Sequence, residues 1–295
     1  MSLRVRVIAA DSMGVRSIAT FVELCGVAIG IDLGASIAPR RFSLPPHPLE
    51  LKRLEQSLDN ARKYIIESDI IVVTHYHYDH YMRDEPELYY GKTVLAKDIK
   101  RDINRSQAIR GYRFIVKGGV RDKAKLEYAD SREFVFERVR VRFSPPVWHG
   151  EEGTKLGKVL MVSLECEEGK IVFASDVQGP PTREAIEWLS REAKDADVII
   201  ISGPPSYLAG YKVSLDAVRR GVEGLEEVIV RAAPRVIIVD HHFLRDIRYV
   251  ELKAEIESRL SRRGLQPRII TAAEYMGKPI EPLEALRKKL WKEEG

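Results

Sequence analysis

A short apolar run that ends in a histidine cluster limits the folds open to this chain. Asp69-Ile70-Ile71-Val72-Val73 is wholly apolar after its first residue, and Thr74-His75-Tyr76-His77-Tyr78-Asp79-His80 follows at once. Short runs of branched apolar residues are typical of strands covered on both faces of a sheet. We therefore predict a buried strand at Asp69–Val73 whose carboxyl end opens onto a crevice, because sites in such sheets form at strand ends.

The histidine cluster has the spacing of a metal-binding loop. The chain holds seven histidines, and three of them lie within six residues. In an extended backbone, residues i and i+2 point to the same side, so His75 and His77 can face one metal ion. Asp79 and His80 can turn toward a neighbouring position. The cluster alone predicts half of a two-metal site, and the remaining ligands must come from other strand ends.

Further candidate ligands follow predicted strands later in the chain. Taken alone, a histidine after a turn or an aspartate at a strand end is typical of a structural residue or a helix cap. Beside the cluster, and in this chain order, we interpret them as ligands. The candidates are His149 after the Pro145-Pro146 turn, Asp176 at the end of a hairpin strand, and His241 and His242 after the strand Arg235–Asp240.

His241 and His242 are alternatives for one ligand position. We favour His241 because it comes first after the strand. The other histidine would then support the ligands by a hydrogen bond, contact the substrate, or simply begin a helix.

The rest of the pattern predicts one α/β (α+β) domain over residues 1–295. The segment Ser68–His75 resembles Ala196–Gly203; each follows a predicted helix, and a hairpin ending in Asp32 or Asp176 belongs to each half. Such halves predict two sheets packed together with helices outside. Residues 85–133 are charged and irregular, which predicts a surface excursion with a helix near Asp98–Gln107 and a candidate lid over the site.

The hydrophobic pattern predicts the individual elements. Strands have a period of two residues and helices one of about 3.6. The predicted strands are Leu3–Ala10, Ile18–Leu24, Val27–Asp32, Glu133–Phe136, Val139–Phe143, Lys158–Cys166, Lys170–Ser175, Val198–Ser202 and Arg268–Thr271, and the helices are Leu49–Glu67, Thr182–Lys194, Ser214–Arg231, Ile247–Arg262 and Pro282–Glu294.

Composition indicates a soluble cytoplasmic protein. Hydrophobic residues make up 44% of the 295 residues, which is enough for a sizeable core. The chain has no apolar stretch long enough to cross a membrane, and its first residues lack the apolar segment of a signal peptide. A net charge of +4 allows an anionic substrate without requiring one. Four Gln and two Asn beside 31% charged residues are typical of a thermophilic source.

Two distant cysteines complete the inventory. Cys25 and Cys166 have no CxxC partner, so the sequence indicates neither a zinc–thiolate site nor a disulfide. We predict two buried strand residues, since free cysteine is often buried.

The ordered motifs resemble those of the metallo-β-lactamase superfamily. The series His75-x-His77-x-Asp79-His80, His149, Asp176 and a histidine at 241 or 242 is similar to its metal-binding motifs, and Asp32 in Ile31-Asp32-Leu33-Gly34 resembles the aspartate that supports its metal loop. The flanks Ala174–Gly179 and Asp240–Asp246 resemble an archaeal branch of predicted hydrolases. The resemblance spans residues 32 to 242 and implies a four-layer αββα sandwich.

The resemblance also implies how two metal ions would be held. His75, His77 and His149 would bind one ion, Asp79, His80 and one of His241 and His242 would bind the other, and Asp176 would bridge them. Imidazoles and carboxylates without thiolates suit zinc, with manganese or iron as alternatives. Two such ions lower the pKa of a shared water to about 7, so a bridging hydroxide would attack the substrate while Asp79 steers a proton.

Several residues near the motifs are candidates for substrate contacts. Arg16, in the segment Ser12–Ser17, would meet an anionic group; the alternative is a solvated arginine in a polar turn. Arg245 would do the same, or pair with Asp246 or Glu251. Segment Gly203–Tyr207 is expected at the rim of the crevice or as a plain proline turn. Tyr76, Tyr78 and Tyr81 are expected to pack beside the metal loop.

Three classes of function compete. We favour a metal-dependent hydrolase acting on a small-molecule or other phosphoester, including nucleic acid, over one acting on a carboxylic ester, thioester or lactam. An iron-dependent oxidoreductase of the same fold is less favoured, because His77 stands where the flavodiiron branch has Glu. A non-catalytic binding protein is less favoured because the ligand set is complete. The sequence does not fix the oligomeric state.

Overall fold

Two mixed β-sheets form the centre of the fold in the computed structural model, which describes residues 3–293. The first sheet has six strands that lie side by side in chain order: β1 (Arg4–Val7), β2 (Thr20–Leu24), β3 (Val27–Ile31), β4 (Ile70–Val73), β5 (Thr93–Ala96) and β6 (Lys125–Tyr128). The pairs β1–β2 and β2–β3 are antiparallel, and β3 to β6 run parallel.

The second half of the chain supplies the other sheet. Its strands are β7 (Glu133–Phe136), β8 (Val139–Phe143), β9 (Val147–Trp148), β10 (Lys158–Val159), β11 (Val162–Cys166), β12 (Gly169–Ala174), β13 (Val198–Ser202), β14 (Val236–Asp240) and β15 (Ile269–Ile270). Seven of them form one sheet in the order β15-β14-β13-β12-β11-β8-β7, and β9 and β10 form a separate ribbon. The strands β12 to β15 run parallel, so their carboxyl ends meet at one edge.

Helices surround the two sheets, and the longest of them pack on the outer faces. The helices are α1 (Pro48–Glu67), α2 (Arg105–Tyr112), α3 (Val120–Lys123), α4 (Arg183–Glu192), α5 (Leu215–Ala232), α6 (Tyr249–Arg262), α7 (Ala272–Tyr275) and α8 (Leu283–Glu293). His47 is the capping residue of α1: its side chain accepts a hydrogen bond from the Leu49 backbone, and Glu50 bonds back to His47. His47 therefore has a structural role at the start of α1 and does not belong to the groups of candidate metal ligands.

The alternation of side chains along β4 shows why the layers form. Ile70 and Val72 point into the core between the two sheets, while Ile71 and Val73 pack outward in the core that contains Ala61 and Ile65 of α1. All four strand residues are buried, as expected for a strand covered on both faces.

The second sheet is covered in the same way. Ile200 of β13 lies in the core between the sheets, and Ile199 and Ile201 lie in the outer core together with Leu225 and Ile229 of α5. The layers are thus helix, sheet, sheet and helix, the predicted αββα sandwich.

Segment 85–133 differs from its prediction as an irregular surface excursion. It supplies β5 and β6, which extend the first sheet in parallel beside β4, and Val94, Leu95 and Ala96 are fully buried. The helix predicted near Asp98–Gln107 is α2, which begins at Arg105, and a second helix, α3, follows it. The strands β5 and β6 have four residues each, so the period-two pattern was too short to detect.

The two cysteines form a disulfide, so the prediction of two free cysteines was wrong. Cys25, in the turn between β2 and β3, bonds Cys166 at the end of β11, across 141 positions of sequence. The bond joins hairpins of opposite sheets. Only the packing of the two sheets brings the cysteines together, and sequence spacing carries no sign of it. Disulfides do occur in intracellular proteins of hyperthermophilic archaea.

None of the helices within residues 3–293 combines the length and the apolar character needed to span a membrane.

Candidate metal centre

The carboxyl ends of four strands bring the candidate ligands together. Asp32 follows β3 directly, and the histidine cluster follows β4. His241 follows β14 directly, and one residue separates Asp176 from the end of β12. His149 comes from the ribbon strand β9. Parallel strands that end at one edge place their following residues side by side, which is the position expected from the sequence.

Three of these strand-end residues have a left-handed backbone. The φ angles are 49° at Asp32, 51° at Asp176 and 59° at His241. Such a conformation costs about 1–3 kcal/mol per residue when it is not glycine, and it persists where surrounding structure enforces it, typically at functional sites. The sharp turns let the side chains point back over the strand ends.

His75, His77, His149 and Asp176 form the first group of donors. Each offers one ligand atom, and these atoms all lie within 4.8 Å of one another. The Asp176 Oδ2 atom is 3.1 Å from His75 Nε2 and 2.8 Å from His149 Nε2. This is the set that the sequence assigned to the first metal, together with the bridging aspartate.

Asp79, His80 and His241 form the second group. Their ligand atoms also lie within 4.8 Å of one another. The Nε2 atoms of His80 and His241 are each 3.7 Å from an oxygen of Asp79. Asp176 Oδ1 is 2.8 Å from His241 Nε2, so one carboxylate lies between the two groups. The structure thus places His241 with the residues assigned to the second metal.

His242 lies outside the second group, although its ligand atom is within 4.8 Å of those of Asp176 and His241. Its Nε2 atom is 3.6 Å from Asp176 Oδ1, and its Nδ1 atom lies 3.2 Å from the Tyr207 hydroxyl and 3.3 Å from Arg245 Nη1. Both neighbours donate hydrogen bonds, which favours a neutral imidazole with its proton on Nε2. His242 therefore directs an N–H toward the centre.

Asp32 is hydrogen-bonded to two residues of the loop Thr74–His80. Its Oδ1 accepts a hydrogen bond from the Thr74 amide at 2.8 Å, and its Oδ2 accepts from the Thr74 hydroxyl at 2.6 Å. Its Oδ2 is also 3.0 Å from His80 Nδ1, and the Thr74 hydroxyl is 3.0 Å from His75 Nδ1. Because both Nδ1 atoms are engaged, both Nε2 atoms are turned toward the centre.

Asp11 performs the same task for His241, and sequence reasoning missed it. Its Oδ2 lies 2.7 Å from His241 Nδ1, and its Oδ1 accepts a hydrogen bond from Arg245 Nε at 2.7 Å. Asp11 immediately precedes the segment Ser12–Ser17 that was singled out for other reasons. Nothing local to Asp11 reveals a partner 230 positions away.

Arg245 and Arg16 are both held by carboxylates. Arg245 is buried and pairs with Asp11, rather than with Asp246 or Glu251, and its Nη2 is 3.7 Å from Asp79 Oδ2. Arg16 donates two hydrogen bonds to Glu284, at 2.6 and 2.7 Å. Their side chains nevertheless line the cavity above the centre.

The electrostatics of the centre favour ionised carboxylates. Burial opposes ionisation of Asp176, but His241, His149 and His80 outweigh it and hold its pKa well below the usual range. Burial likewise opposes ionisation of Asp79, and His80 and His241 lower its pKa.

The histidines divide into two classes. Burial opposes protonation of His241, but the charge of Asp176 outweighs it and raises the pKa of His241 to about 9. Burial lowers the pKa values of His75, His77 and His242, which favours neutral imidazoles. Neutral imidazoles bind metal directly, whereas metal binding at His241 would release its proton.

Unpartnered buried atoms show that the donor set fits a metal ion. The Nε2 atom of His80 and the Oδ1 atom of Asp176 are buried, and neither has a hydrogen-bond partner in the part of the chain that the structure describes. A buried polar atom without a partner costs about 1–3 kcal/mol, which a bound cation or its ligands would offset. Imidazole and carboxylate donors without thiolate suit Zn²⁺, Mn²⁺ or Fe²⁺.

A cavity of about 1480 Å³ opens above the centre. His77, Asp79, His149, Asp176 and His242 lie at its base. Its walls come from the loops around Arg41, Arg83, Lys155 and Tyr207, and from Arg110 of α2. The predicted rim segment Gly203–Tyr207 thus reaches the cavity through Tyr207, whereas Arg41, Arg110 and Lys155 had no sequence signal.

The chain is similar to archaeal relatives over its whole length. The UPF0282 protein of Aeropyrum pernix is 59% identical over 296 residues, which cover 99% of this chain and 100% of the relative. The UPF0282 protein of Korarchaeum cryptofilum is 38% identical over 291 residues, covering 98% of this chain and 94% of the relative. A comparison with protein-family models found no match.

Solved structures with the same fold have little sequence in common with the chain. The diiron β-hydroxylase CmlA of Streptomyces venezuelae has a TM-score of 0.54 at 12% identity, covering 92% of this chain and 53% of that one. An isothiocyanate hydrolase from Delia radicum gut bacteria has a TM-score of 0.51 at 14% identity, covering 88% and 94%. A diphosphatase from the PhnP family has a TM-score of 0.50 at 16% identity, covering 92% and 94%. The fold is the metallo-β-lactamase fold that the motifs predicted.

Proposed function

The chain belongs to the UPF0282 family, and we propose that it is a phosphoester hydrolase that uses two divalent metal ions. The observation that carries this proposal is the convergence of the two donor groups on Asp176, at the base of a cavity rich in cations. His75, His77 and His149 would hold one ion, Asp79, His80 and His241 the other, and Asp176 both. Zinc is the metal we propose first, with manganese and iron as alternatives.

Two divalent cations at this centre would supply a nucleophile from water near neutral pH and stabilise negative charge on the substrate. The chain's own residues orient the donors. Asp32 is hydrogen-bonded to His80 and Thr74, and Asp11 is hydrogen-bonded to His241. His242 would donate its Nε2–H to an oxygen of the substrate. Arg245 and Tyr207 keep His242 in that tautomer.

The charges of the cavity favour phosphorus over an uncharged carbonyl as the target. The lining includes eight cationic side chains and five acidic ones, and two of the acidic residues, Asp79 and Asp176, are proposed metal ligands. A cavity lined by one sign of charge raises the local concentration of an oppositely charged substrate. An uncharged ester would not be attracted to these cations before it reacts.

The similar structures do not decide the substrate. One is a diphosphatase, one hydrolyses isothiocyanates and one is a diiron hydroxylase. The choice therefore depends on this chain's cavity. An iron-dependent oxidation would require iron rather than zinc at the centre, which metal analysis distinguishes.

A matched panel tests the proposal. Protein loaded with zinc or manganese would be assayed with bis(p-nitrophenyl) phosphate, p-nitrophenyl phosphate and p-nitrophenyl acetate, which share one leaving group. We expect turnover of a phosphoester, and we expect Asp176→Asn to abolish it. Turnover of the acetate alone would replace the phosphoester proposal with a carboxylic ester hydrolase.

A further inference from the structure

Four cations of the cavity wall have no carboxylate partner. Among the described residues, no acidic oxygen lies within 4.0 Å of the charged groups of Arg40, Arg110, Lys155 and Lys212, although the other cavity arginines each have one: Arg16 and Arg41 pair with Glu284, Arg83 with Asp84 and Arg245 with Asp11. Exposed loops carry unpaired cations routinely. Unpaired cations grouped in a cavity above a metal centre instead indicate a place for an anion.

Arg83 and Arg110 meet at one aromatic ring next to the metal loop. The guanidinium carbon of Arg83 lies 4.3 Å from the centre of the Tyr78 ring, and that of Arg110 lies 4.5 Å from it. Tyr78 stands between the proposed ligands His77 and Asp79 in sequence. Two cations are thereby held against one ring beside the centre, and an anion at the edge of that ring would be attracted to both.

The pair with Asp84 neutralises Arg83 only weakly. The Arg83 Nε to Asp84 Oδ2 distance is 2.9 Å, but the Asp84 side chain is 80% exposed. Exposed pairs of this kind contribute little because water screens them. Arg83 therefore remains available to a ligand inside the cavity.

Hydrogen bonds fix the wall that carries Arg110 and Lys155. From α2, Gln107 accepts a hydrogen bond from the Tyr76 amide at 3.2 Å and donates to the Leu156 carbonyl at 2.7 Å. Asn104, which caps α2, donates to the Lys155 carbonyl at 2.7 Å. Because Gln107 is buried and one turn before Arg110, the helix and the loop around Lys155 form one wall joined to the metal loop.

We infer that Tyr78, Arg83, Arg110 and Lys155 form a subsite that binds a second phosphate of the substrate. The inference rests on the proposed phosphoester hydrolysis and narrows its substrate to compounds that carry a second phosphate, for which a nucleotide with two phosphates is the probe. Arginine suits such a site because its planar donors match phosphate oxygens. A cavity of about 1480 Å³ exceeds the roughly 300–1000 Å³ usual for small ligands, so it has room for this extension.

Two chromogenic substrates that differ by one phosphate test the subsite. They are thymidine 5′-(p-nitrophenyl phosphate) and the same compound with a 3′-phosphate, assayed with metal-loaded protein. We expect kcat/KM to favour the 3′-phosphorylated substrate by about tenfold, which corresponds to about 1.4 kcal/mol. Arg110→Gln should abolish this preference. Arg113→Gln, an exposed residue that does not line the cavity, should retain it.

The ratio of the two kcat/KM values isolates the subsite from general damage to the enzyme. Equal kcat/KM values for both substrates in the wild-type protein, or a preference that survives Arg110→Gln, would overturn the inference.

If neither compound is hydrolysed, the proposed function fails and binding decides the subsite. Calorimetry should then show thymidine 3′,5′-bisphosphate binding about tenfold more tightly than thymidine 5′-phosphate to wild-type protein, and equally weakly to the Arg110→Gln variant. Equal affinities in the wild-type protein would refute the subsite by itself.

Discussion

His241 and His242 are adjacent in sequence, but their imidazoles meet different partners. His241 lies with Asp79 and His80 and is anchored by Asp11, whereas His242 faces Tyr207 and Arg245. The left-handed backbone at His241 turns the first histidine into the donor group and leaves the second at its edge. In the function that we propose, His241 binds the metal and His242 contacts the substrate.

Substitution of each histidine separates these roles. His241→Ala should reduce the bound metal to about one ion per chain, because one of the three donors of the second group is lost. His242→Ala should keep both ions and lower kcat by about 10²–10³-fold, as the loss of one preorganised donor does. Metal content by elemental analysis, beside kinetics, measures both effects. The reverse pattern of metal loss would exchange the two assignments.

Substitution of Asp11 gives a second prediction for a single residue. Asp11→Asn should weaken binding of one metal ion by about 10–100-fold, because the carboxylate that orients His241 is lost. Competition with a chromogenic chelator measures the affinity. Glu192→Gln is the matched control, since Glu192 is also buried and pairs with Arg142 and Arg191 away from the centre. Equal metal affinity in Asp11→Asn and wild type would remove Asp11 from the account.

Helix α8 fixes the loop between β3 and α1, which forms one side of the cavity. Arg287 of α8 donates to both oxygens of Glu50 at 2.7 Å, and to the carbonyls of Ala38 and Leu44 at 2.9 and 3.2 Å. Arg287 and Glu50 are fully buried. The last described helix thus connects the loop containing Arg40 and Arg41 to the start of α1.

Substitution of Arg287 should destabilise the folded protein. Arg287→Met should lower the free energy of unfolding by about 3–5 kcal/mol, because it leaves the Glu50 carboxylate buried without its partner. Chemical denaturation followed by circular dichroism gives the value. Lys289→Met is the control on the same helix, since Lys289 is exposed and pairs only with Glu293. A loss below about 1 kcal/mol for Arg287→Met would mean that the pair is not buried in solution.

The disulfide gives the second prediction for the elements. Cys166→Ser should lower the free energy of unfolding by about 2–4 kcal/mol, because the bond between Cys25 and Cys166 closes a long loop in the unfolded chain. A reducing agent should destabilise the wild type to the level of the variant and leave the variant unchanged. Two titratable thiols per chain in unreduced, unfolded wild type would show that the bond is absent.

For the whole molecule, patterns long enough to show a period predicted the fold. The strand Val198–Ser202 was predicted with its observed bounds. The hairpin of β11 and β12 was also predicted, but its first strand, predicted over Lys158–Cys166, is divided into β10 and β11. The strands β5 and β6 were missed because each has only four residues, which is too short a run to establish a period. The disulfide was missed because it depends only on how the sheets pack.

The candidate site divides in the same way. Residues that follow strands in a characteristic order, such as His75 and Asp176, could be identified from the sequence, and the structure brings them within ligand distance of one another. The roles of Asp11, Gln178 and Arg110 could not be identified from the sequence, because each side chain contacts a partner that is distant in sequence. Gln178, for example, places its side-chain nitrogen 3.2 Å from His149 Nδ1.

Metal stoichiometry tests the central claim most directly. The protein would be purified without added metal or chelator, and then titrated with Zn²⁺ and Mn²⁺ while the bound metal is counted by elemental analysis. The account predicts about two ions per chain for the wild type, with Asp176→Asn reducing both because its carboxylate lies between the two donor groups. No uptake of metal by the wild type, or full stoichiometry in Asp176→Asn, would contradict the two-metal centre.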